Sequence, residues 1–142
     1  MSVKYGVFIG RMQPVHNAHL FMVNKALDEC DKVLIVLGSE NKVDMLRNPY
    51  DITLREQMLR ECFNDEQNKK LSIVTLPDWS MESDVESAEI WGRYFYYNVV
   101  SRIGQKTFSI YYSDDVAILD SWFNNTEVRQ YITYRNFERN NI

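Results

Sequence analysis

The stretch VKYGVFIGRMQPVHNAHLFMVNKALDECDKVLIVLGS, residues 3–39, decides the fold. Val3, Tyr5, Val7 and Ile9 alternate, with Phe8 apolar between them, so residues 3–9 read as a strand that Gly10 ends. Residues 11–18 carry a proline and no strand pattern. From His19 the spacing turns helical: Leu20, Val23, Ala26, Leu27 and Cys30 form one apolar stripe. Lys32 to Leu37, KVLIVL, is then an unbroken apolar run, as expected of a strand covered on both faces, and Gly38 and Ser39 close it. Strand, helix, strand at this spacing is the unit from which parallel sheets are built.

The rest of the chain repeats the pattern. Residues 39–52 read as a polar loop, after which Thr53 and Glu56 fit a capping box for a helix with Leu54, Met58, Leu59 and Cys62 on one face. Leu71 to Leu76 reads as a third strand, ended by Pro77, and DWSMESD, residues 78–84, as a second polar loop. Val85 to about Ile103 is a long aromatic-rich helix broken by Gly104; Thr107 to Tyr112 is a fourth strand. A short helix over 114–123 and a last strand over Val128 to Ile132 complete the expectation. The predicted fold class is α/β: a three-layer, Rossmann-like parallel sheet with helices on both faces. Ligands of such sheets bind beyond the carboxyl ends of the strands. The loops at 10–18, 38–50, 77–84 and 113–115 are therefore where chemistry belongs.

Composition sets the outer bounds. The 142 residues are 45% hydrophobic, 13% aromatic and 25% charged, the profile of one globular domain rather than a disordered tail, a fibre or a two-domain enzyme. Sixteen basic against twenty acidic residues leave a net charge of −4, so no basic excess drives nucleic-acid binding. An anionic ligand must be held by a local cluster. Cys30 and Cys62 both fall in helical segments and read as two buried reduced thiols rather than a disulfide. With no signal-peptide pattern and no long apolar run, the chain reads as soluble, cytosolic and without a membrane segment.

The first loop holds both histidines of the chain, His16 and His19, three residues apart at a predicted helix N-terminus. Free backbone N–H groups and the positive dipole end favour an anion there. Imidazole donors suit phosphate oxygens, Arg11 adds a fixed charge, and Gly10 lets the backbone approach a ligand. By themselves two histidines at this spacing read equally as surface residues, or as half of a metal pair with nothing nearby to complete it. Neither a GxxxxGK[ST] loop nor GxGxxG is present.

The whole string is more specific. GRMQPVHNAH, residues 10–19, resembles the GRFQPFHxGH signature of the HxGH nucleotidyltransferases, with Gly, Arg, Gln, Pro and both His at family spacing. Met12 stands where an aromatic is usual, and Ala18 replaces the Gly between the histidines. Gly38-Ser39, then Arg47-Asn48-Pro49-Tyr50 and Arg55-Glu56, resemble the GS…RNPF…ER stretch of nicotinamide-nucleotide adenylyltransferases, most closely the archaeal type and the N-terminal domain of bifunctional adenylyltransferase–Nudix proteins. Pro77-Asp78-Trp79 resembles the VxDW stretch, and Trp91 falls at the place of the tryptophan that stacks on nicotinamide, although the spacing from Trp79 is longer than in the family. Aromatics around Trp91 read equally as core. Ser113 and Asp114 sit loosely where the family contacts the nucleotide, and Asp114 with Asp115 reads equally as a helix cap.

The resemblance implies one nucleotidyltransferase domain over 1–142 that transfers AMP from ATP to nicotinamide mononucleotide, giving NAD and pyrophosphate. It assigns the charge-bearing catalytic roles to Arg11, His16, His19 and Arg47. Gly10, Met12, Gln13, Gly38, Ser113 and Asp114 fall to nucleotide binding, and Asp78, Trp79 and Trp91 to the acceptor. Mg²⁺ is expected with ATP, with no protein metal site. The family's closing ISxTxxR motif is not found: YRNFERNNI reaches Ile142 with no SxTxxR after it. Two alternatives stay open: another phosphate acceptor (phosphopantetheine, flavin mononucleotide or glycerol phosphate), against which Trp91 and the RNPY stretch speak, and a non-catalytic ATP- or NAD-binding module, which that gap and Ala18 favour. The aromatic run 94–97 makes a homo-oligomer a further expectation.

Overall fold

The computed structural model describes residues 3–10, 17–37, 52–76, 85–112 and 116–137. Five strands, β1 Tyr5–Gly10, β2 Lys32–Leu37, β3 Leu71–Thr75, β4 Phe108–Tyr112 and β5 Ile132–Asn136, form one sheet in the order β3-β2-β1-β4-β5. Every pairing is parallel. The helices are α1 Asn17–Glu29, α2 Ile52–Arg60, α3 Asp65–Lys70, α4 Val85–Ile103 and α5 Val116–Phe123. The α/β expectation is met.

Alternation along the strands builds the two outer layers. Phe8, Val33, Ile35, Leu37, Leu71 and Tyr111 face one way and pack with Met22, Val23, Ala26 and Leu27 of α1 and Leu59 of α2. Val7, Leu34, Val36, Phe108 and Ile110 face the other way, against Trp91, Phe95 and Val99 of α4 and Leu119, Trp122 and Phe123 of α5. The four-residue spacing of Trp91, Phe95 and Val99 keeps them on one stripe of α4. The unbroken run in β2 follows from being covered twice: only Lys32 is exposed. α4 and α5 approach closely because position 92 is glycine, whose Cα lies against the Trp122 backbone. Gly104, at φ +76°, ends α4 in the left-handed conformation that glycine adopts without strain.

Several boundaries differ from the expectation. β1 runs to Gly10, which pairs with Leu37, rather than ending before it. α2 already begins at Ile52, so Thr53 lies inside the helix and the Thr53–Glu56 capping box is not its start. α3 has no apolar stripe to reveal it; it is set by a capping box in which the Asn64 side chain accepts from Gln67 N and the Gln67 side chain accepts from Asn64 N. The last strand lies at 132–136, not 128–132: residues 127–131 form a 3₁₀ turn whose Val128 is buried under the α5 layer. Both cysteines are free, but Cys62 is exposed and only Cys30 is buried.

The strand order matters for function. From β1 the chain moves outward through β2 to β3, and α4 then carries it back to β4 on the other side of β1. The order therefore reverses between β1 and β4, and it is beyond the carboxyl ends at such a switch point that sheets of this kind bind ligands. Gly10 closes β1 at that edge and α1 begins there.

Candidate functional site

The described part of the site lies where β1 hands over to α1. His19 falls in the first turn of α1, among the N–H groups that a helix leaves unbonded at its start. Its half-buried imidazole stands edge-to-face with Phe8 of β1, ring centroids 5.8 Å apart at 69°. Gly10, half-buried, is the last residue of β1. Gly10 and His19 are thus brought to one strand–helix junction, as the sequence reading requires.

Trp91 sits elsewhere. It belongs to the opposite face of the sheet, 2% exposed, with its ring 5.5 Å from Tyr94, 6.4 Å from Phe95 and 5.8 Å from Trp122. Its Nε1 has no hydrogen-bond partner among the described residues. So enclosed an indole offers no open face to a ligand in this structure. Arg11, Met12, Gln13, His16, Gly38, Arg47, Asp78, Trp79, Ser113 and Asp114 lie outside the described residues. Among the described residues no three His, Cys, Asp or Glu side chains come together as a metal set. Nor is any described helix long and apolar enough to cross a membrane.

The far end of α1 is pinned by groups that sequence reasoning did not single out. Glu29 is the last residue of the helix, where a carboxylate opposes the dipole and no basic residue shares the turn. Hydrogen bonds offset that cost. Arg135 of β5 donates through Nε to Oε1 at 3.1 Å and through Nη2 to Oε2 at 2.7 Å, and Tyr111 of β4 donates its hydroxyl to Oε1 at 2.6 Å. The Arg135 guanidinium, then the Tyr111 hydroxyl, hold the Glu29 carboxyl below its usual range. Burial, with the Cys30 and Glu29 contacts, pushes the Tyr111 phenol far up, so it stays a donor. With the phenol proton given to Glu29, the Cys30 thiol 3.4 Å away is the donor in its contact with Tyr111. The tail of β5 folds onto this network: Phe137 stacks on Tyr111 at 9° and meets Phe21 of α1 edge-on at 5.8 Å.

Two further residues deserve a place beside those the sequence singled out. Phe8 read only as a strand apolar, since nothing local couples it to residue 19. Arg55, inside the RNPY…RE stretch, is 1% exposed and stands first by volume among the fully buried side chains of the described residues. A buried guanidinium is kept only where it is engaged, and Arg55 is. It stands in α2, the helix that follows the second loop.

Comparison with known proteins shows what the whole chain resembles. The model of the cytidylyltransferase-like family matches residues 7–131. The chain is 32% identical over 94 residues to the nicotinamide-nucleotide adenylyltransferase of Thermococcus kodakarensis, covering 65% of this chain and 47% of that one. It is 36% identical over 74 residues to the nicotinamide/nicotinic acid mononucleotide adenylyltransferase of Acinetobacter baylyi, covering 52% of this chain and 39% of that one. The chain thus spans less than half the length of these relatives. Among solved structures it resembles a bifunctional NMN adenylyltransferase/ADP ribose pyrophosphatase of Francisella tularensis, complexed with AMP and manganese, at TM-score 0.71 and 22% identity over 96% of this chain and 37% of that one. It resembles the NadR protein in complex with NR at TM-score 0.71 and 15% identity, over 99% of this chain and 38% of that one. At these identities the structural likeness is one of fold.

Proposed function

The chain belongs to the cytidylyltransferase-like family, and from that premise we propose that it transfers the adenylyl group of ATP to nicotinamide mononucleotide, releasing pyrophosphate and forming NAD. The observation that carries the reading is the position of GRMQPVHNAH: it starts at the last residue of β1 and ends in the first turn of α1, beside the point where the strand order reverses. The adenylyltransferase names of the sequence relatives support the choice of acceptor.

In this reading an oxygen of the acceptor's 5′-phosphate attacks the α-phosphorus of ATP in line, and the bond to the bridging oxygen breaks as pyrophosphate leaves. The attacking oxygen is already anionic near neutral pH, so no strong general base is required. Catalysis is then positioning and charge neutralisation. His19 donates an imidazole N–H to phosphate oxygens as negative charge builds on the leaving group, helped by the N–H groups at the start of α1. His16, Arg11 and Arg47 share that charge, with Gly10, Met12, Gln13, Gly38, Ser113 and Asp114 along the nucleotide. Asp78, Trp79 and Trp91 take the acceptor side, and Trp91 takes part only where its indole is uncovered as the acceptor enters. Mg²⁺ is expected to enter with ATP, held by its phosphates with little direct ligation by protein.

The test is pyrophosphate release with ATP and each acceptor in turn. We expect turnover with nicotinamide mononucleotide, and little with phosphopantetheine, flavin mononucleotide or glycerol phosphate. His19→Ala is expected to lower kcat at least about 100-fold with an unchanged circular dichroism spectrum. ATP binding without turnover on any acceptor, or near-normal turnover of His19→Ala, overturns the assignment.

A further inference from the structure

We infer that Phe8 is a positioning residue for this reaction: the edge-to-face packing of its ring on His19 sets the direction in which the imidazole presents its nitrogens at the β1–α1 junction. The inference rests on the adenylyl-transfer reading, in which His19 meets phosphate oxygens.

The sheet register makes Phe8 a rigid wall. Phe8 pairs with Ile35 of β2 on one side and with Tyr111 of β4 on the other. Ile35 pairs in turn with Ile73, and Tyr111 with Arg135, so five side chains form one row on the α1 face. Ile35 is 0% exposed, Tyr111 1% and Phe8 7%. Tyr111 is itself fixed by its bond to Glu29. The Phe8 ring therefore has little room to turn, and whatever packs on it inherits that constraint.

A half-buried histidine in the first turn of a helix has more than one staggered orientation compatible with its backbone. A ring–ring contact at 5.8 Å and 69° selects among them, because aromatic pairs prefer edge-to-face geometry over this distance. An aliphatic side chain of similar volume fills the same core space without that directional preference. Since the proposed catalysis is largely orientation, an imidazole spread over several orientations costs rate rather than acceptor binding.

The experiment compares Phe8→Leu with Ile35→Val, a neighbour in the same buried row that presents no ring. The chain has only two histidines, so the His19 imidazole resonances are identified in NMR spectra by their loss in His19→Ala. We expect them to move in Phe8→Leu, as the ring current is lost, and to stay in place in Ile35→Val. In steady-state assays Phe8→Leu is expected to lower kcat about 5- to 10-fold with acceptor KM unchanged, while Ile35→Val keeps the parent kcat. A parent protein without turnover, or a fully active His19→Ala, overturns the adenylyl-transfer reading and this inference with it. An active parent in which the two variants share one kcat, or in which the His19 resonances do not respond to Phe8→Leu, overturns the inference alone.

Discussion

Tyr111 of β4 crosses over Gly6 of β1, and the missing side chain at Gly6 is what lets it reach Glu29. A Cβ at position 6 would stand 3.0 Å from Tyr111 Cε1, 3.0 Å from Cys30 Sγ and 3.2 Å from the Ala26 Cβ. The phenol delivers its hydroxyl to the last residue of α1. One absent methyl thus couples β1, β4 and the helix that carries His19.

Gly6→Ala is therefore expected to destabilise the fold. Removing a strand glycine favours folding by about 0.5–1 kcal/mol through backbone entropy. Inserting a methyl among three buried side chains costs about 1–3 kcal/mol. Overpacking wins, and a net loss of about 1–2 kcal/mol should appear as a lower urea midpoint with an unchanged slope. A raised midpoint would show that Tyr111 and Cys30 yield at no cost.

Gly92→Ala should be worse. The new Cβ would lie 2.1 Å from the Trp122 carbonyl oxygen and 2.8 Å from its carbonyl carbon. These are backbone atoms inside α5, so no rotamer change relieves the clash and the helix itself must move. The helix-propensity gain of about 1 kcal/mol for alanine over glycine does not compensate. A loss of about 3 kcal/mol or more is expected, read by urea unfolding. A variant as stable as Gly6→Ala would contradict the α4–α5 contact.

The Glu29–Arg135 pair gives a pH signature. Its partners lower the Glu29 pKa in the folded state, so the unfolded chain takes up the proton first. The stabilisation is fully present above the ordinary glutamate value of 4.5 and is lost as pH falls through the lower folded value. Glu29→Gln should be less stable than the parent near pH 7 by about 1 kcal/mol, held down by the partial exposure of both side chains. That gap should narrow below pH 4.5 as the parent loses its advantage. Thermal unfolding of both proteins across pH 3–7 is the measurement. A gap that stays constant over that range would mean the carboxylate charge contributes nothing.

What the sequence made legible follows from how local each signal is. The bounds of 32–37 and 85–103 are legible, because a double-covered strand and a long aromatic stripe each declare themselves within one segment. α3, DEQNKK, buries nothing and shows no periodicity; only its cap makes it a helix. The pattern puts the last strand four residues early because Val128 offers the same apolar signal whether it lies in a strand or under α5. At the site, Gly10 and His19 were legible because one contiguous string carries them. Phe8 against His19 and Glu29 against Arg135, 106 residues apart, are products of sheet register, which no single segment encodes.

Trp91 is where position in sequence and position in the fold pull apart most, and a conservative substitution separates them. Trp91→Phe keeps an aromatic ring among Tyr94, Phe95 and Trp122 and removes an Nε1 that has no partner among the described residues. Loss of the larger ring leaves a small void, and a cost of about 1–2 kcal/mol is expected from burial alone. In the proposed acceptor role the indole face also attracts an electron-poor pyridinium, and phenylalanine is the weaker partner. The expected result is a severalfold rise in KM for nicotinamide mononucleotide with KM for ATP unchanged, on top of the stability loss. A variant that loses stability while both KM values hold would make Trp91 a core residue and leave the acceptor to Asp78 and Trp79.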